Sequence, residues 1–139
     1  MTDADLLAQK LAFIETCVQE LRTLARPAEI LRDVREARFV LHTLQIAIQA
    51  ALDVASHIVS DERLGEPETN RELFDRLIRP GWLPADLAGT MERMAGFRNV
   101  VVHGYGRVNL EIAKDIVEHR LTDLLAFVTA IRTRLTDQP

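Results

Sequence analysis

From Leu7 onward, apolar residues recur at Leu7, Leu11, Ile14, Val18, Leu21 and Ala25. These alternating steps of four and three place them on one face of a helix. Arg26-Pro27 breaks the pattern. It resumes in a second helical stretch from about Val34 to Ser60, striped by Leu41, Leu44, Ile48, Leu52, Ala55 and Val59. Leu64-Gly65-Glu66-Pro67 reads as a loop. Beyond it, Thr69 and Glu72 have the spacing of a capping box, which predicts a short helix carrying Leu73, Leu77 and Ile78. That helix stops before Arg79-Pro80-Gly81, because proline disfavours a helical conformation in the residue ahead of it.

Pro84 suits the first turn of a fourth helix, where its missing N–H costs nothing, and the pattern continues through Leu87, Met91, Met94 and Val101 to an end near Gly104. A last helix, roughly Leu110 to Leu135, presents Ala113, Val117, Leu121, Leu124, Val128, Ile131 and Leu135 to one side. The chain is therefore expected to be all-α, an antiparallel bundle of four long helices plus one short helix.

Composition agrees and narrows the choices. With 139 residues, 47% of them hydrophobic, the chain supports one core, so residues 1–139 are read as a single domain. Aromatic residues make up only 5%, and the abundance of Leu, Ala, Arg and Glu favours helix over strand. A net charge of −4 excludes a protein that coats nucleic acid generally. Any RNA or DNA site must be local. The lone Cys17 can form no internal disulfide and has no partners for a structural zinc site. The segment Met1-Thr2-Asp3-Ala4-Asp5 is acidic where a signal peptide is basic, and no apolar run approaches the ~20 residues that cross a bilayer. These features imply a cytoplasmic protein without a membrane partner. Gly-rich phosphate loops, metal-ligand clusters and serine nucleophile elbows are absent, so no cofactor or metal is expected.

The chemistry concentrates at the end of the fourth helix, where Arg98 and His103 stand five positions apart. On an ideal helix that separation turns them about 140° from each other, whereas Asn99 and His103 share a face. Arg98 reaches the same spot if its long side chain wraps around, if Gly104 and Gly106 end the helix early, or if a second protomer supplies it. The last route implies a dimer. Arg93, Arg98 and Arg107 make this region locally basic within an acidic chain, and a histidine at a helix C-terminus gains from the helix dipole. A phosphodiester suits such a place. Histidine moves protons near neutrality and arginine offsets charge on a phosphate, so the pair can drive attack by a ribose 2′-hydroxyl without a metal.

The run Arg98-Asn99-Val100-Val101-Val102-His103 resembles the signature of the HEPN superfamily, an arginine and a histidine separated by four to six residues with a polar residue after the arginine. Its fuller form, Met94-Ala95-Gly96-Phe97 followed by that run and Gly104-Tyr105, is similar to HepT-like toxins. The likeness extends upstream to Ile48-Gln49-Ala50-Ala51-Leu52-Asp53-Val54-Ala55-Ser56-His57-Ile58-Val59 and to Pro67-Glu68-Thr69-Asn70-Arg71-Glu72-Leu73-Phe74, roughly residues 35 to 130 in all. The resemblance implies a HEPN-like bundle acting as a metal-independent endoribonuclease, the toxin of a type II/VII-like toxin–antitoxin pair. It implies a homodimer whose two pairs of Arg98 and His103 line one cleft, and a minimal nucleotidyltransferase antitoxin that adds adenylate to the tyrosine matching Tyr105. Position 104 is Gly where many members carry an acidic or larger residue, which loosens the backbone beside Tyr105.

Within this reading His103 moves protons, Arg98 binds the phosphate, and Asn99 orients the histidine or the substrate. Asp53 and Arg107 are supporting candidates. Gln49, Asp53 and His57 lie four apart on one helical face, and two possible ligands are too few for a metal, so they read as a hydrogen-bonding ladder. His42 and His119 sit in no motif and read as surface or satisfied histidines. Cys17, off the apolar stripe of its helix, reads as a structural or incidental thiol, and Trp82 as the anchor of a proline-bounded loop rather than a base-stacking residue. The alternative function is a non-catalytic module that docks a nucleotidyltransferase and presents Tyr105 or a nucleotide to it.

Overall fold

In the computed structural model, which describes residues 3–137, capping side chains and proline breaks set the helix boundaries. Met1 and Thr2, which open the acidic N-terminal segment, lie outside the described residues. The Asp3 carboxylate accepts from the Leu6 N–H at 3.1 Å and starts α1, Ala4–Leu24. Pro27 heads a single 3₁₀ turn, Pro27–Glu29, that reverses the chain. Asp33 then accepts from the Arg35 N–H at 2.9 Å and starts α2, Val34–Asp61.

α2 is the spine of the bundle, packed by α1 along one side and by the later helices along the other. Against the expectation that no apolar run approaches spanning length, α2 is by length and composition long and apolar enough to cross a bilayer, one stretch reaching a mean hydropathy of 1.3. In this fold that stretch serves as a core helix, with Val40, Leu44, Ala47, Ile48, Ala51, Val54 and Ala55 wholly buried.

The short helix differs from its expected form. α3 is one turn, Glu72–Asp75, and the capping box does not close. The Glu72 carboxylate accepts from the Glu68 N–H at 2.8 Å, while Thr69 contributes only its carbonyl, to the Glu72 N–H. A single turn gives a cap little helix to stabilise, and the chain continues in tight turns. The Leu77 carbonyl accepts from both Trp82 and Leu83, which folds Trp82 into the core with the Arg134 guanidinium 4.8 Å from its ring centroid. Trp82 thus anchors its loop.

α4 runs Ala85–His103 after Pro84 at its N-cap. The last predicted helix forms as three contiguous pieces: α5, Leu110–Asp115, capped by Asn109; a π segment, Ile116–Arg120; and α6, Leu121–Thr136. A π turn shifts the phase of the helix, so Ile116 and Val117 both face the core although only Val117 lies on the predicted stripe. With this interruption, the observed architecture is the expected all-α antiparallel bundle of four long helices and one short one.

The stripes meet in one core closed by Phe74 and Phe127, edge to face at 5.8 Å. Cys17, though off the apolar stripe of its helix, is buried among these residues, as a structural thiol is. α1 packs against both α2 and α6, so its buried arc is wider than one stripe. Burial, with the nearby Glu20 charge as a second cause, pushes the thiol up to about 11. On the outside, Arg132 of α6 makes a bidentate pair with Glu15 of α1 at 2.6 and 2.8 Å.

Candidate active site

α4 buries Ala88, Met91, Met94, Ala95 and Val101, and this packing fixes which way its last turns face. Val100, Val102 and His103 are left exposed. The helix stays regular to His103, so the early ending that would have swung Arg98 toward His103 does not occur. Gly104 closes the helix instead, its N–H donating to the Val101 carbonyl at 3.1 Å. Its φ of 139° and ψ of 132° belong to a region that side chains with a Cβ rarely enter. From there a 3₁₀ turn, Tyr105–Arg107, folds the Tyr105 ring back against the core.

Arg98 is half-buried. Its Nη1 donates to the Asn99 side-chain oxygen at 3.1 Å, and its Nε is buried without a partner. Asn99, expected to serve His103 or the substrate, accepts here from the arginine through Oδ1, with its two N–H donors still available. Among the described residues His103 makes no side-chain hydrogen bond and stands free at the helix end. One chain therefore carries the cation and the imidazole close in sequence but turned apart.

The site also contains a residue that the motif did not point to. Arg38, exposed near the start of α2, places its guanidinium over the Tyr105 ring, 5.5 Å from the centroid. The polar face of α2 was visible in the sequence, but which part of it meets the end of α4 depends on how the two helices pack. Arg38 over the ring and Arg107, exposed on the same turn, put positive charge beside Tyr105.

The supporting carboxylate lies elsewhere. Asp53 accepts from Gln49 Nε2 at 2.8 Å and pairs with Lys10 Nζ of α1 at 3.2 Å. It sits fifteen residues beyond Arg38 on the same helix, about 22 Å along the axis, and is not brought to His103. The expected ladder forms in part, because His57 faces Asp61, at 3.2 Å, rather than Asp53. Among the described residues no three of His, Cys, Asp and Glu converge as a metal-binding group. His42 and His119 are exposed. A recess of about 670 Å³, lined by Ser56, Arg63 and Asn70 among others, opens at the far end of α2.

Comparison with known proteins follows the same segments. A family model described as Ribonuclease HepT-like matches residues 14–131. The mRNA nuclease HepT of Shewanella oneidensis is 29% identical over 129 residues, covering 92% of this chain and 97% of that protein. A putative RNase of Archaeoglobus fulgidus is 26% identical over 121 residues, 86% of this chain and 89% of its own. Among solved structures, a toxin–antitoxin with AMP-PNP superposes with a TM-score of 0.87 at 28% identity, over 93% of this chain and 98% of the other. A tri-AMPylated Shewanella oneidensis HEPN toxin in complex with an MNT antitoxin superposes with a TM-score of 0.86, also at 28% identity, over 94% and 99%.

Proposed function

The chain belongs to the Ribonuclease HepT-like family and is a ribonuclease, and from that premise we propose that it is a toxin cutting RNA internally and without a metal, through Arg98 and His103 in a cleft between two copies. The observation that carries this reading is the arrangement at the end of α4. A half-buried guanidinium with an unpartnered Nε–H and a free, exposed histidine stand within the last two turns of α4, turned apart by a helix that stays regular between them. A second copy facing this helix end sets the arginine of one chain opposite the histidine of the other.

In that cleft Arg98 holds the scissile phosphate and Asn99 keeps the guanidinium in place. His103 takes the proton from the ribose 2′-hydroxyl as its oxygen attacks phosphorus, and the 5′-oxygen of the next nucleotide leaves with a proton from the second histidine or from water. Arg107 adds positive charge for the flanking backbone. The relatives with antitoxin partners support a minimal nucleotidyltransferase as the antitoxin of this chain, adding adenylate to Tyr105 and filling the cleft with phosphate. This reading implies a cytoplasmic protein, where RNA and such an enzyme are both found.

The test is cleavage of labelled RNA in EDTA by the purified chain and by His103→Ala. Loss of cleavage with an unchanged circular dichroism melt and unchanged mass by light scattering supports the assignment. Parental cleavage by the variant, or a monomer at working concentration, removes it. The docking-module alternative predicts no cleavage by the unmodified parent.

A further inference from the structure

We infer that Arg38 is the phosphate partner of adenylylated Tyr105, a residue of α2 that positions the phenol for modification and then holds the phosphate attached to it. The inference rests on the proposed modification of Tyr105 and adds a residue from outside the motif. Its basis is the placement of the Arg38 guanidinium over the Tyr105 ring, 5.5 Å from the centroid. Arg38 is exposed, and among the described residues no carboxylate pairs with it. An unpaired surface arginine is free to move, and holding one over a single ring uses that ring as its anchor.

The tyrosine is also held by the core. The ring packs against the core, and the turn that carries it is set by Gly104 at φ 139°. The phenol oxygen lies at the ring's edge, so a small side-chain rotation carries the guanidinium from the ring face to a group bonded to that oxygen. In the transfer, the Tyr105 oxygen bonds to the α-phosphorus of ATP, the bond from that phosphorus to the bridging oxygen breaks, pyrophosphate leaves with the electron pair, and the phenol proton passes to a base of the transferase or to water. The product is a phosphodiester with one negative charge beside a guanidinium that has no other partner. Arginine binds such a group through paired N–H donors.

Arg38→Ala, Arg38→Lys and, as a control on another element, Arg120→Ala test this when the full chain is incubated with a nucleotidyltransferase antitoxin and limiting ATP. The increase in intact mass gives the initial rate, and the ³¹P resonance of the singly modified chain reports the phosphate's surroundings. Arg38→Ala is expected to slow modification about tenfold or more and to shift the ³¹P resonance, as loss of a charge-assisted hydrogen bond does. Arg38→Lys restores part of the rate, and Arg120→Ala matches the parent. Modification of Arg38→Ala at the parental rate with an unmoved resonance overturns the inference and leaves Tyr105 as the modified residue. If the parent gains no mass, or Tyr105→Phe gains as much as the parent, the Tyr105 reading falls and the role of Arg38 falls with it.

Discussion

Asn99 accepts a hydrogen bond from Arg98, its immediate neighbour, at 3.1 Å, although its position one helical turn before His103 suggested the histidine as its partner. That bond makes steadying the arginine the role to test for the polar residue of the motif. Asn99→Ala leaves the guanidinium free to swing and should lower kcat about tenfold. Asn99→Asp keeps an acceptor and should retain more activity. In both variants the shape of the pH–rate profile should match the parent, because no bond to His103 is lost. A displaced profile in Asn99→Ala would make Asn99 a partner of the histidine instead.

A cleft in which arginine and histidine come from different chains predicts complementation. Arg98→Ala and His103→Ala homodimers should each be inactive. The mixed dimer, isolated with two different affinity tags, retains one intact pair across the interface and should recover about half of the parental cleavage. If each pair instead works within its own chain, the mixed dimer has no intact site, and its inactivity would overturn the trans arrangement.

The parts of the fold legible in the sequence were those governed by local periodicity. The stripes of α1, α2, α4 and α6 are the observed core because steps of three and four report which face is dry whatever covers it. Cys17 was left off the stripe because its burial depends on α1 having two neighbours, and Ile116 because a π turn changes the period on which the reading relies. The site divides the same way. Arg98, Asn99, His103 and Tyr105 form one continuous segment that can be read at sight, whereas Arg38 belongs to another helix and reaches Tyr105 only through packing. The capping box at Thr69 failed because its spacing was right but the helix that followed was a single turn.

The Glu15–Arg132 pair ties α1 to α6 and predicts a dependence on acid. The Arg132 hydrogen bond, followed by its charge, holds the Glu15 carboxyl below its usual 4.5. A lowered folded value means that the pair stabilises the fold above the unfolded value and that this stabilisation is lost as pH falls through the folded one. Both side chains are well exposed, so the effect is at most about 1 kcal/mol. Glu15→Gln should therefore unfold more easily than the parent at pH 7, and the gap between their urea midpoints should close well below pH 4.5. A gap that persists undiminished in strong acid would mean that the ion pair is not its source.

Gly104 ties the geometry of the helix end to the modification of the tyrosine. A Cβ at this position would meet nothing within 4 Å, so space is not what requires glycine. The requirement is conformational: φ is 139°, where other residues are strained by about 1–3 kcal/mol. Gly104→Ala must either hold that strain or relax the turn, and relaxation moves Tyr105 away from Arg38. Asparagine tolerates the left-handed helical region but not this one, so Gly104→Asn should offer no rescue. Both variants should melt a few degrees below the parent and accept adenylate at Tyr105 more slowly, while Gly106→Ala, where φ is not positive and a Cβ also meets open space, should do neither. Parental melting and modification in Gly104→Ala would show that the turn accommodates a side chain and that its glycine does not position the tyrosine.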